Sequence, residues 1–334
     1  MSKSLYFRYI FSAVVAAAAI IFIWAWSNIY LPFGNDESAQ EFKVEQGQGL
    51  IEITANLKEA GLIKSKFAFE FHALATGKQG ELKAGLYRLN SRMNIPVILD
   101  TFVAGQTAQT KVIIIEGWNL RDISGELSRQ GIAGSQEFLR ICDKDFSGEY
   151  DFLRDKPAGQ NLEGYIFPDT YLIDNDAKAE SLVSKALSNF DEKLTSGLRT
   201  KIKEQGKTIF EIINMASLLE REVKIYEDKQ LVAGILWKRL KQGWPLQVDA
   251  AVAYGLGKSG TKLSKDDLKI DNPYNTYKYR GLPPGPICNP GLDSIKAAVY
   301  PKPSLYWFYL STPDGQTIFS KTLDEHNTAK AKYL

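Results

Sequence analysis

Glu220 has the setting of a working acid. Residues 209–223 read as an amphipathic helix: at roughly 100° per residue, Ile209, Ile212, Ile213, Ala216 and Leu219 gather on one face, and Glu220 projects into the same sector while Glu211 and Glu222 point elsewhere. A carboxyl group partly withdrawn from water resists ionisation, so its pKa rises and it can hold a proton for a leaving group near neutral pH. Burying an unpaired carboxylate is costly, so the same pattern also allows the stripe to end at Leu219 with Glu220 solvated at its edge. A second dense stretch, residues 271–294, is rich in Pro, Gly, Tyr and Asn and cannot be a regular element. Its rings and amides suit sugar rings and N-acetyl groups, and equally suit a rigid structural loop.

Other chemistries drop out. The turn Gly255-Leu-Gly-Lys258-Ser259 lacks the glycine that a phosphate-binding loop needs five positions before its Gly-Lys pair, where Val252 stands. His72 and His326 are the only histidines, without a second plausible ligand or a Gly-x-Ser-x-Gly elbow, so neither a zinc site nor a Ser-His-Asp hydrolase is expected, and no metal or cofactor is called for. Cys142 and Cys288 are too few for a disulfide framework, and their spacing does not say whether they pair. With 41 basic against 39 acidic residues, the formal charge of +2 provides no field for nucleic acid.

Residues 9–26 carry no charge, and the apolar run continues to Phe33 with Trp24, Trp26 and Tyr30 at its far end, as a membrane-crossing helix with an aromatic belt would. Lys3 and Arg8 precede it and Asp36 and Glu37 follow, so the expected layout is a cytoplasmic tail (1–8), a single transmembrane helix (9–30), a polar tether (31–41) and a domain outside the cytoplasm. A cleaved signal peptide, using Ala25 and Ser27, is the competing reading. Beyond the tether the pattern predicts a strand from Phe42, helices over 50–60 and 66–75 ended by Gly61 and Gly77, a strand over 82–89 and a connecting helix over 94–104. A strand from Thr110 then runs into Glu116-Gly117, followed by helices over 120–130 and 135–142, a Pro-broken aromatic loop over 161–171, a helix over 177–194, the Glu220 helix and a helix over 228–241. With no regular βαβ rhythm, the fold class is α+β. The strand-helix-helix-strand order of 42–104 resembles the LysM carbohydrate-binding module, which grips N-acetylglucosamine chains; packing alone can also produce so simple a unit.

Ala216-Ser-Leu-Leu-Glu220-Arg-Glu222, Leu246-Gln247-Val-Asp249, Tyr274-Asn-Thr-Tyr277, Gly281-Leu-Pro-Pro-Gly285 and Asn289-Pro-Gly291 follow one another in a characteristic order. Upstream stand Ala84-Gly-Leu-Tyr-Arg88, Glu116-Gly117 and Glu163-Gly-Tyr-Ile-Phe-Pro-Asp-Thr-Tyr171, and downstream Glu325-His-Asn327. In order and spacing these motifs resemble the MltG/YceG-type endolytic murein transglycosylases over essentially the whole chain. Arg221 and Val223 stand where that family usually has Lys and Thr. The resemblance implies a membrane anchor, a LysM-like module (42–104) and an α+β YceG-like catalytic domain (107–334). It also implies that Glu220 is the general acid/base cleaving between N-acetylmuramic acid and N-acetylglucosamine to leave 1,6-anhydro ends, which can terminate growth of nascent strands.

Gln247, Asn275 and Thr276 are then candidates for holding sugar groups. Asp249, Tyr274, Tyr277, Asn289 and Glu163, all within the matching motifs, complete the candidate substrate-binding set, with Asp249 alternatively bracing the Gln247 loop and Glu222 left without a role. The expected partners are peptidoglycan glycan strands, the cytoplasmic (inner) membrane and cell-wall synthases. A noncatalytic glycan-binding scaffold, and a hydrolytic muramidase with Asp249 as second carboxylate, remain the alternatives.

Overall fold

The structure is a computed structural model that describes residues 3–174, 179–258 and 263–333, with side chains described from Phe7. Ala177, at the expected start of the long helix, Ser259 of the rejected glycine turn, and Met1 and Ser2 of the expected tail lie outside the described residues. The chain divides into two compact units. One runs to Thr110 and takes up the chain again from Leu172; the other comprises Lys111–Tyr171 and the remainder to the C-terminus.

The first unit begins with α1 (Lys3–Tyr30), whose stretch Phe7–Tyr30 has a mean hydropathy of 2.2 and is long and apolar enough to cross a membrane. Then come β1 (Gln40–Val44), α2 (Leu50–Glu59), α3 (Lys66–Ala75), β2 (Gly85–Leu89) and α4 (Ile95–Ala104). β1 and β2 pair antiparallel with Phe42 opposite Tyr87, and both helices between them cover the inward face of the pair through Ile53, Leu57 and Phe69. Phe102 of α4 closes this core, its ring 5.9 Å from Phe42 and 4.7 Å edge-on from Tyr87. Side-chain caps set the helix starts: Ser65 accepts from Ala68 N and Asn94 from Val97 N, while α4 ends at Gly105 with φ 68°.

The last turn of α1 is part of this core. Ile29 is buried in it, the Tyr30 ring meets His72 edge-on at 6.2 Å, and Asn94 donates to Tyr30 O. The polar segment expected as a tether is bound along the module as well, with Gly34 N donating to Ser91 O and Ser91 Oγ to Asp36 O. Sequence reading missed this because polarity reports solvation of side chains and not whether the backbone has found partners.

The second unit is mainly helical. Two strands, β3 (Gln109–Ile113) and β4 (Thr170–Asp174), pair as a sheet, and the boundaries between units fall within them. The helices are α5 (Leu120–Arg129), α6 (Ser135–Cys142), α7 (Ala179–Lys193), α8 (Ser196–Glu204), α9 (Ile209–Glu222), α10 (Tyr226–Lys241), α11 (Asp249–Gly255) and α12 (Leu292–Val299). An antiparallel hairpin, β5 (Phe308–Ser311) and β6 (Thr317–Ser320), and α13 (Leu323–Tyr333) end the chain. The mixed α+β class agrees with the sequence reading; α8, α11, α12 and everything beyond were not anticipated.

α9 is the organising element. Thr208 and Glu211 form a reciprocal capping box at its start, and the Asp155 carboxylate accepts from Ile209 N at 2.6 Å. Every residue from Ile212 to Leu219 is buried, so the one-sided stripe expected from periodicity understates its position: α8, α10, α11 and α12 all contact it. Asn214 and Ser217, polar residues inside that run, therefore have to find partners within the protein.

Candidate active site

Asn214, Ser217 and Glu220 recur every third residue along α9, and each binds the backbone of the Pro- and Gly-rich segment that runs up to α12. Asn214 Nδ2 donates to Pro283 O at 2.7 Å, Ile287 N donates to Ser217 Oγ at 3.0 Å, and Gly291 N donates to Glu220 Oε2 at 2.9 Å. A loop with so many prolines cannot satisfy its polar groups in regular structure, and this polar seam supplies partners at one-turn intervals.

Glu220 stands at the end of the seam and faces the N-terminus of α12. Besides Gly291 N, Oε2 accepts from Ser294 Oγ at 2.7 Å, while Oε1 accepts from Lys229 Nζ of α10 at 3.1 Å. Carboxylate and ammonium are both nearly closed off, their side chains 9% and 5% exposed. The positive end of α12 and the ammonium together offset the cost of burying the carboxylate. The solvated alternative for Glu220 is excluded by this placement.

A second carboxylate converges on the same glycine. A Cβ on Gly291 would overlap the Glu116 carboxylate, so only glycine lets the two acids share this backbone turn. Burial and then the neighbouring Glu220 raise the pKa of Glu116 above the usual range. On the other side, Gly117, at φ 81°, brings its backbone against the Glu220 and Arg221 side chains, and Arg221 donates to Gly117 O at 3.1 Å. Sequence reasoning quoted Glu116-Gly117 without giving it a role, and did not single out Lys229 or Ser294.

The remaining candidates divide into two sets. Asn275, Thr276, Asn289 and Glu163 are buried and internally engaged. Asn275 Nδ2 donates to Leu268 O and Ile270 O while its Oδ1 accepts from Tyr277 N; Thr276 Oγ1 accepts from Val248 N. Asn289 Oδ1 accepts from Gly164 N and Ile166 N, and its Nδ2 donates to Trp118 O and Glu163 Oε1. The Glu163 carboxyl also accepts from Leu120 N and Tyr254 Oη, and burial pushes its pKa up to about 8. A sugar contact by these four side chains does not fit this placement; they hold loops. Burial of an Asn in a Pro-rich loop is a tertiary outcome that composition does not report.

Gln247 is exposed, with φ 56°, and half-buried Asp249, Tyr274 and Tyr277 adjoin it or the same loop. Asp249 accepts from Tyr277 Oη at 2.6 Å, and Tyr274 packs its ring 5.1 Å from that of Tyr254. Glu222 lies on this side, with burial raising its pKa to about 7. Cys142 and Cys288 are both free and buried.

Residues 42–332 match the model of the YceG-like family. An endolytic murein transglycosylase of Bacillus subtilis strain 168 is 32% identical over 312 residues, covering 90% of this chain and 86% of that protein. An endolytic murein transglycosylase of Streptococcus pneumoniae is 31% identical over 319 residues, 87% of this chain, and the chain spans 58% of that longer relative. A 2.6 Å crystal structure of a yceG-like protein from Listeria monocytogenes aligns with a TM-score of 0.61 at 30% identity, over 88% of this chain and 100% of that one.

Two measurements check the placement of the buried set. Asn275→Ala leaves two carbonyls and one amide of the loop without a partner, so it should destabilise the protein by about 1–3 kcal/mol; unchanged melting with weakened turnover would instead make Asn275 a substrate contact. Glu163 has a folded-state pKa of about 8 against an ordinary 4.5, so its contribution to stability is complete below pH 4.5 and is lost as pH rises through 8. Tm should therefore fall between those limits, and Glu163→Gln should flatten the slope; an identical slope in the variant would assign the dependence elsewhere.

Proposed function

The chain belongs to the YceG-like family, and from that membership we propose that it is a lytic transglycosylase that cuts peptidoglycan glycan strands internally, with Glu220 as its acid. The observation that supports the assignment of Glu220 is its place in the motif 216–222 together with the convergence of Gly291, Ser294 and Lys229 on its carboxyl, which is nearly closed off yet keeps 9% of its side chain open. In its protonated form Glu220 gives a proton to the oxygen bridging N-acetylmuramic acid and N-acetylglucosamine, the bond from that oxygen to the muramyl C1 breaks, and the muramyl 6-hydroxyl bonds to C1. The hydroxyl proton returns to Glu220. No water is consumed, so no second carboxylate has to activate one.

A muramidase would need that second carboxylate. Asp249, its first candidate, is held by Tyr277, whereas Glu116 meets Glu220 at Gly291. The products decide between the two reactions.

α1 is read as a single-pass inner-membrane anchor with its N-terminus cytoplasmic, the rest lying outside the cytoplasm. The strand-helix-helix-strand unit is read as a LysM-like grip on the glycan. Both would confine cutting to newly made strands near the membrane, terminating their elongation beside the synthases that make them.

Digestion of uncrosslinked glycan should yield 1,6-anhydromuramyl ends; reducing muramyl ends would establish the muramidase, and no cleavage the scaffold. Glu220→Gln should lower turnover by ~10² to 10⁴. Because Gln leaves the Lys229 ammonium buried without its counter-ion, Tm should fall too; adding Lys229→Met should restore Tm and not turnover, and recovery of both would remove Glu220 from the chemistry. For the anchor, intact mass of protein taken from membranes should match an uncleaved chain, and a soluble chain beginning near residue 28 would defeat it.

A further inference from the structure

A basic pocket of about 330 Å³ is lined by Trp118, Arg121, Arg221, Tyr254 and Lys258 among others, Arg221 being the residue that follows Glu220. Gly117 joins it to the acid: a Cβ there would stand 3.7 Å from both Glu220 Cγ and Arg221 Cδ. The two arginines are under-used. Arg221 makes one bond to Gly117 O, Arg121 stands 5.9 Å over the Tyr254 ring, and among the described residues neither has a carboxylate partner.

The other charges in the pocket are engaged. Lys258 clasps Asp267 through both oxygens at 2.7 Å, and Asp122 accepts from Asn119 N within the capping box of α5. The first amides of α5 are also satisfied, by Asn119 and Glu163, so the backbone is not what would bind an anion here. What remains is two guanidinium groups around a partly enclosed polar space, a donor set matched to a carboxylate and favoured over ammonium for planar, bidentate capture.

A muramyl unit carries such a group on its lactyl arm, either as the lactyl carboxylate itself or, where a stem peptide is attached, as that peptide's free carboxylates. Resting on the transglycosylase reading, we propose that Arg121 and Arg221 form a subsite for a carboxylate of the muramyl lactyl-peptide arm and so orient the strand with its muramyl C1 toward Glu220. Strands whose carboxylates are amidated would be held less firmly. No bond changes at this subsite; it acts through charge and geometry.

The test is calorimetric titration of the full chain in detergent with three probes: N-acetylmuramyl-L-Ala-D-Glu, the same compound with both glutamyl carboxylates amidated, and N-acetylmuramic acid. The free-acid dipeptide, or N-acetylmuramic acid if the lactyl group is the one recognised, should bind roughly tenfold or more tightly than the diamide, as charge-assisted hydrogen bonds imply. Arg121→Gln and Arg221→Gln should each reduce that preference, with Arg121→Gln retaining the wild-type Tm because it removes no hydrogen bond to the protein backbone. Equal affinity for acids and diamide, a preference that survives Arg121→Gln, or absence of binding by all three probes overturns the subsite. Binding is read without turnover, so a preference that persists in a protein leaving no anhydro ends would defeat the transglycosylase reading and keep the subsite.

Discussion

The polar seam on α9 is the constraint on which the second unit depends. Asn214, Ser217 and Glu220 lie three residues apart on a helix buried on every side, and they take up backbone groups at Pro283, Ile287 and Gly291. Because the helix and the loop advance together, the loop cannot slide along α9 without breaking several buried hydrogen bonds at once. Each left unpaired would cost about 1–3 kcal/mol. The same register delivers the N-terminus of α12 to the Glu220 carboxylate, so docking of the loop also sets the donors around Glu220.

That arrangement explains the glycines around the acid. Gly291 has no room for a Cβ beside Glu116, and Gly117 lies close against Glu220 and Arg221 with a left-handed φ. Both let backbone approach where a side chain would separate the charged groups. Lys229, contributed by α10, balances the buried charge of Glu220, while Glu116 keeps a raised pKa through burial and that neighbouring carboxylate. Among the described residues, hydrogen-bond donors from Gly291, Ser294 and Lys229 meet Glu220, and none meets Glu116.

Behind this site lies a second buried layer. Asn289 and Glu163 join residues 118, 120, 164 and 166 into one hydrogen-bonded group, and Tyr254 reaches it from α11. Asn275 and Thr276 do the same for the loop before it, tying residues 248, 268, 270 and 277. Motif residues here build the walls of the site more than they face into it. The basic pocket sits on the wall that Gly117 shares with Glu220.

Local pattern was sufficient for α1 to α7, α9 and α10, because apolar periodicity, capping residues such as Ser65, Asn94 and Thr208, and terminating glycines act within a few residues of the element they shape. The sequence also placed Glu220 in the apolar sector of its helix, and its motifs carried the family. It did not reveal α8, α11 or α12, which are short, or that the polar segment after Tyr30 is bound to its module. Nor could it separate the buried Asn275, Thr276, Asn289 and Glu163 from the exposed Gln247, since a polar side chain has the same formula whether it meets backbone or solvent. Only tertiary structure decided that Lys229, Gly291 and Ser294 surround Glu220, that Glu116 stands near it, and that Arg121 shares a pocket with Arg221. Those groups come from positions scattered over more than 150 residues of chain, and a contact between distant segments is written in no local pattern, only in the way the core closes.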